Sequence, residues 1–141
     1  LRIDPAETIA NLAPWDVIYP FDDRARPKKH KMWVCVAKSE LWFIRINTEA
    51  YGRFCVPLPK ALHAFLEWDS YFGGSGDMIE PLDADLFDLL AKQSMPEKQG
   101  IVGHVHESCR PAVWAALREN DKLSLAKLRV IARELGHNFA P

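Results

Sequence analysis

Lys31-Met32-Trp33-Val34-Cys35-Val36-Ala37-Lys38-Ser39-Glu40-Leu41-Trp42-Phe43-Ile44-Arg45-Ile46-Asn47-Thr48 decides the fold. Met32 to Ala37 is an apolar run rich in Val and Trp, and Leu41 to Ile46 is a second run of the same kind. Between them lies the short polar link Lys38-Ser39-Glu40. Two such runs around a short link predict a β-hairpin, and both strands are too apolar to leave either face fully wet. In an antiparallel pair the start of one strand lies beside the end of the next. Lys31, behind the basic segment Arg24-Ala25-Arg26-Pro27-Lys28-Lys29-His30, is therefore expected beside Asn47 and Thr48 at one end of a sheet.

The composition sets the frame for that hairpin. Of 141 residues, 48% are apolar, which suits one domain with a sizeable core. The formal net charge of −1 gives no bulk attraction for nucleic acid, so any polyanion site has to be a local patch. Three Cys without a pairing pattern suggest reduced thiols in a cytoplasm rather than a disulfide framework. No run is long and apolar enough to span a bilayer, and the expectation is a soluble, cytoplasmic domain without membrane contact. Leu1 in place of an initiator Met leaves the true N-terminus, and any signal peptide before it, outside this reading.

Elsewhere the chain alternates short strands and capped helices. Asp4-Pro5 reads as an N-cap and first residue of a helical turn. Trp15 to Phe21 reads as a first strand, with Pro20 confining its far end to an edge or a bulge. Arg53 to Leu58 alternates with Phe54, Val56 and Leu58 on one face, and Pro59 opens a helix of about two turns with Leu62, Phe65 and Leu66 inward. Gly73-Gly74-Ser75-Gly76 is a loop without the Lys-Ser/Thr of a phosphate-binding P-loop. Asp77 to Glu80 can form a strand, and Asp83 or Asp85 a cap for a helix burying Leu86, Leu89 and Leu90. Gly100 to His106 resembles a strand. Ser108 is the expected cap of a helix with Val113, Trp114 and Leu117 buried, and Ser124 of a last helix with Leu128, Ile131 and Leu135 inward and Gly136 at its end. The expectation is one α+β domain over 1–141: a small, strongly curved antiparallel barrel of about five to six strands, its core in 14–58, with helices and remaining strands in 59–141.

Trp15-Asp16-Val17-Ile18-Tyr19, Phe21, a charged loop and His30-Lys31-Met32-Trp33-Val34-Cys35-Val36 together resemble the opening of the MazF/PemK-type toxins. That family begins with a Gly-Asp-(Ile/Leu)-(Ile/Val)-Trp-Val-x-Phe strand, a loop, then Lys/His-Arg-Pro and a Val-rich strand. Asp16 matches the family Asp, whereas Trp15 stands where the family has Gly, and Lys31-Met32 where it has Arg-Pro. Asn47-Thr48 matches the Thr- or Ser-bearing end of the family's third strand, and Leu66-Glu67-Trp68-Asp69-Ser70-Tyr71 is similar to the Leu-x-x-Asp-Ser stretch of PemK-like members. Leu123 to Leu135 is similar to their closing helix. The resemblance runs in order over about residues 14 to 135, with Asp77 to Arg118 longer than the usual family core.

The resemblance implies an SH3-like barrel that forms a homodimer, cleaves single-stranded RNA without a cofactor, and is neutralised by a cognate antitoxin protein. The chemistry needs a base for the ribose 2′-OH, a cation for the charged phosphorus centre and an acid for the leaving 5′ oxygen. His30 suits proton transfer near neutral pH, Lys31 and Arg45 suit the cation role, and Thr48 supplies a hydroxyl. Arg26, Lys28 and Lys29 are the expected backbone grips, with Asp69 and Ser70 as further RNA contacts. Plainer roles stand beside these: a solvated basic loop, a turn Thr, an edge or ion-paired Arg45, and a turn or cap at Asp69-Ser70. His104, His106 and Cys109 have the spacing of a zinc corner without an evident fourth ligand, and no metal is expected. Two alternatives remain: a non-catalytic nucleic-acid or protein-binding member of the same fold, and a helix-turn-helix regulator over Ser108 to Gly136 with Lys122, Lys127, Arg129 and Arg133 on its second helix.

Overall fold

The hairpin forms as expected and carries most of the pairing. The computed structural model describes residues 3–22, 29–92 and 98–139, with Lys29 described by its backbone alone. Strands β4 (Met32–Ala37) and β5 (Trp42–Asn47) pair antiparallel, with Met32 opposite Ile46, Trp33 opposite Arg45 and Cys35 opposite Phe43. Leu41 falls in the turn rather than the strand, at φ 53°. The first strand is shorter than its apolar run suggested: β1 is Asp16–Ile18, and Pro20 separates it from β2 (Phe21–Asp22), which pairs with β3 (Lys29–His30). The remaining strands are β6 (Val56–Leu58), β7 (Ser70–Phe72), β8 (Ile79–Pro81) and β9 (Ile101–His104).

Six strands run in the order β6-β7-β5-β4-β1-β9, all pairs antiparallel, and β8 adds to β5. The sheet curls into a half-barrel. The helices are α1 (Pro5–Asn11), α2 (Leu86–Ala91), α3 (Arg110–Glu119) and α4 (Leu125–Leu135), and the α+β expectation holds. Their ends follow the predicted chemistry: Asp4 accepts from the Ala6 amide, Ser124 from the Lys127 amide, and Gly136 closes α4 at φ 80°. The α3 start differs, because the His106 ring rather than Ser108 caps the 3-10 turn Glu107–Cys109 that leads into it. The two-turn helix expected after Pro59 is a single 3-10 turn, Lys60–Leu62, with Leu62 exposed. Its length is limited by His63, which leaves helical geometry at φ −136° and is buried.

Alternation along the hairpin divides the core in two. Val34, Val36, Ile44 and Ile46 pack with Val17, Leu58 and Phe72 under α3 and α4. Trp33, Cys35 and Phe43 face the other way and pack with Ile18, Leu82, Leu86 and Leu89 under α2 and the α1 end. Each face is thus covered by helices, which explains why neither strand shows a polar period over most of its length. Lys38 ties the hairpin turn to α1, its ammonium donating to the carbonyls of Ile9, Ala10 (3.3 Å) and Leu12 (3.0 Å). A cation on those carbonyls also suits the negative end of the helix dipole. Among the described residues no helix is long and apolar enough to cross a membrane.

Candidate functional site

The site begins where the apolar cover of one hairpin face ends. On the face that carries Phe43 and Cys35, the next positions along β5 are Arg45 and Asn47, and the position beyond Trp33 toward the start of β4 is Lys31. The register, continued by one residue, sets Lys31 opposite Asn47. Side chains that are buried under α1 and α2 at one end are replaced at the other end by a cation, an amide and a second cation.

These residues line a cavity of about 220 Å³ together with His30, Thr48 and Ser70. All four residues expected to carry chemistry, His30, Lys31, Arg45 and Thr48, therefore share one cavity wall. Among the described residues the Arg45 guanidinium makes no ion pair or hydrogen bond, so the ion-paired role for Arg45 does not form among them. The Asp16 carboxylate accepts from the Ala13 amide at 2.9 Å. Thr48 is exposed at the cavity rim.

The cavity also contains residues that the sequence did not single out. Tyr19, Tyr51, Trp68 and Lys98 line it, with Tyr51 51% and Trp68 63% exposed. Single exposed rings are ordinary, but two of them on one cavity rim form an apolar patch of the kind that marks a binding surface. Tyr19 stacks on His30 with centroids 5.1 Å apart, Phe21 meets the same imidazole edge-on at 5.1 Å, and the Lys98 ammonium lies 5.0 Å from the centre of the Tyr19 ring. Lys98 also pairs with Glu67 at 3.7 Å. Burial, and then the nearby Lys98 charge, hold the His30 imidazole below its ordinary range, so that it is neutral at pH 7. Its Nε2 is buried and has no hydrogen-bond partner among the described residues. Burial and the Glu67 carboxylate push the Tyr19 phenol up, which keeps it protonated.

The wall bearing Trp68 is held firmly. The amide of His106 donates to His63 Nε2 at 3.0 Å, which fixes the ring proton on Nδ1, and that proton is donated to the Pro59 carbonyl at 2.8 Å. Lys60 donates to the Leu66 carbonyl at 2.7 Å. Asp69 does not line the cavity: its carboxylate accepts from the Lys60 amide at 2.9 Å, and the chain runs from it into β7 rather than into a helix it could cap. Ser70 does line it, with its hydroxyl donating to the Trp68 carbonyl at 2.9 Å. Gly103 completes the anchoring, since a Cβ there would stand 2.3 Å from the Phe65 ring; only a glycine strand residue lets that ring lie on β9.

Arg26 and Lys28 lie outside the described residues, and the Lys29 side chain is likewise outside them. His104, His106 and Cys109 do not gather as a metal corner. His104 is exposed, Cys109 is buried, and His106 Nδ1 is engaged by Ser108, whose amide lies 3.1 Å away. Among the described residues no three His, Cys, Asp or Glu side chains come together to hold a metal ion. On the opposite side of the molecule, α4 lies on β4 through Leu128, Ile131 and Ala132. Of its expected basic residues, Lys122 precedes the helix, Lys127 is bound to Asp77 at 2.8 Å, and Arg129 and Arg133 are exposed.

No model of a known protein family matches the chain, and no curated protein is significantly similar to it.

Proposed function

We propose that the protein is a MazF/PemK-like toxin, a metal-independent endoribonuclease that cleaves single-stranded RNA in the cytoplasm and is held in check by an antitoxin protein. The observation that carries this reading is the shared cavity: an imidazole neutral at pH 7, the cations Lys31 and Arg45, a third cation Lys98 paired with Glu67, and the Thr48 hydroxyl, rimmed by two exposed aromatic rings. Cations grip phosphate, and exposed rings stack on unpaired bases, so the combination suits a single strand rather than a duplex. A neutral imidazole is the form that can accept the 2′-OH proton. The 2′ oxygen then attacks phosphorus, Lys31 and Arg45 stabilise the charge that builds on the phosphoryl oxygens, and the bond to the 5′ oxygen breaks as that oxygen takes up a proton. Trp15 adds independent support. It sits at φ 78°, a left-handed conformation, at the position where the family pattern has Gly.

The test is cleavage of a single-stranded RNA in the presence of EDTA, with the ends of the products identified. The expected products carry 2′,3′-cyclic phosphate and 5′-hydroxyl ends, DNA of the same sequence stays intact, and Lys31→Ala or His30→Ala lowers the rate roughly a hundredfold or more. Loss of cleavage in EDTA, or equal cleavage of DNA, contradicts the reading. A homodimer belongs to the same proposal, because Leu62, Phe87 and Leu125 are exposed apolar surface outside the cavity. Sedimentation as a monomer at micromolar concentration would count against it.

One observation favours a second reading, a binding protein of the same fold without catalysis. His30 is held between Tyr19 and Phe21 with Nε2 buried, so that nitrogen does not face a ligand in this conformation. RNA bound in the cavity but never cut is the outcome that selects it.

A further inference from the structure

A second cavity, of about 550 Å³, adjoins the first and shares Arg45, Asn47 and Tyr51 with it. Its other walls are the Gly73–Gly76 loop and β8. The loop is fixed to the sheet: the Gly73 amide donates to the Arg45 carbonyl at 2.9 Å, and Asn47 Nδ2 donates to the Gly73 carbonyl at 2.9 Å. The Gly74 amide is turned to the Met78 sulfur at 3.1 Å. Those loop amides are thus committed, and they do not form a cradle for phosphate.

The charge inside this second cavity points to a different ligand group. Two carboxylates line it, Asp77 and Glu80. Asp77 is fully used, one oxygen bound to Lys127 at 2.8 Å and the other accepting from the Ile79 amide at 3.1 Å. Glu80 is partly exposed and, among the described residues, makes no hydrogen bond or ion pair. An ionised carboxylate is an acceptor only, with two oxygens side by side. It repels phosphate and attracts a pair of adjacent N–H donors.

Building on the RNA reading above, we propose that this second cavity takes the base next to the one at the scissile phosphate, and that Glu80 selects guanine there. Guanine alone among the four RNA bases presents two adjacent donors on its Watson–Crick edge, N1–H and the N2 amino group. Adenine and cytosine each offer one amino group beside a ring nitrogen that would face the carboxylate as a second acceptor. Uracil offers a single N–H between two carbonyls. Arg45, on the divide between the cavities, holds the phosphate that links the two nucleotides, and the half-exposed Tyr51 ring is placed to stack on a base.

The experiment measures binding of short single-stranded oligouridylates carrying one G, A, C or inosine, by fluorescence anisotropy, to the full chain and to Glu80→Gln. The intact protein is expected to bind the G-containing oligomer roughly tenfold or more above its A and C counterparts, the scale of one bidentate base contact. Inosine, which lacks the N2 amino group, should lose most of that advantage without any change to the protein. Glu80→Gln should abolish the preference while oligouridylate binding persists. Binding without a preference for G, or a preference that inosine and Glu80→Gln both leave intact, overturns the guanine assignment while the RNA reading stands. Failure of every oligomer to bind overturns the RNA reading, and the guanine assignment with it.

Discussion

The two ends of one hairpin face differ more than the two faces of the sheet do. At one end Cys35 and Phe43, opposite each other, are fully buried beneath α2 and the α1 end. At the other, two residues further along the same face, Arg45 and Asn47 line a cavity whose rim bears exposed Trp68 and Tyr51. Backbone, register and face are common to both ends; only the cover changes. A sheet packed on both faces must stop being covered somewhere if it is to meet a ligand, and here the stop coincides with the switch from apolar to cationic side chains. On the proposed function the dry end supplies stability and the wet end the RNA site.

That division predicts opposite effects from substitutions two residues apart. Phe43→Ala should lower unfolding stability by about 3–5 kcal/mol, the usual cost of emptying a large buried aromatic site. Arg45→Ala should leave stability within about 0.5 kcal/mol, as is usual for a partly exposed side chain outside the core, while lowering RNA cleavage roughly a hundredfold. Chemical denaturation and cleavage rates, measured on both variants, check the pair. Equal losses of stability would dissolve the distinction between the two ends.

A smaller effect sharpens the account of the first strand. Trp15 is buried, its amide donates to the Cys35 carbonyl at 2.7 Å, and its carbonyl accepts from the Val105 amide at 3.0 Å. These bonds hold an L-residue in left-handed geometry at a cost of roughly 1–2 kcal/mol. Both Trp15→Ala and Trp15→Gly forfeit the buried indole, but only Gly relieves the strain. The Gly variant should therefore be the more stable of the two by about 1 kcal/mol in denaturant titration. An Ala variant as stable as the Gly variant would remove the strain argument.

The pH response is the smallest effect. Because the folded His30 pKa lies below the unfolded value, the unfolded state takes up a proton first as pH falls. Stability is then lost as pH drops from about 6.5 through the folded pKa. If neutral His30 is the base, the cleavage rate is flat at neutral pH and falls on the same acid side. Lys98→Met removes one of the two influences that lower the pKa, so both limbs should move toward higher pH, though not fully to 6.5 since burial remains. An acid limb unmoved in Lys98→Met would show that His30 does not set it.

Much of this architecture was legible in the chain because it rests on local rules. The hairpin follows from two apolar runs around Lys38-Ser39-Glu40, α4 from Ser124 and Gly136, and the inward Leu86, Leu89 and Leu90 from spacing alone. The grouping of His30, Lys31, Arg45 and Thr48 also follows from hairpin geometry. What was not legible depends on distant pairing. β9 lies beside β1 although the two are far apart in sequence, and Lys98, just ahead of β9, reaches Tyr19 only because of that pairing. β7 is too short to show a period, and the single turn after Pro59 is decided by His63, whose partners are Pro59 and the remote His106. Trp68 reads as core material from its type, and only the packing leaves it at the surface.

The claim that the open end of the hairpin face is the functional site is tested most directly by titrating a short single-stranded RNA into isotope-labelled protein and following the backbone amides by NMR. The account predicts that the largest shifts fall on Lys31, Arg45, Asn47, Thr48, Tyr51 and Trp68, with Phe43, Leu86 and Leu89 unmoved. Shifts centred instead on Arg129 and Arg133 of α4, with the hairpin end silent, would contradict it.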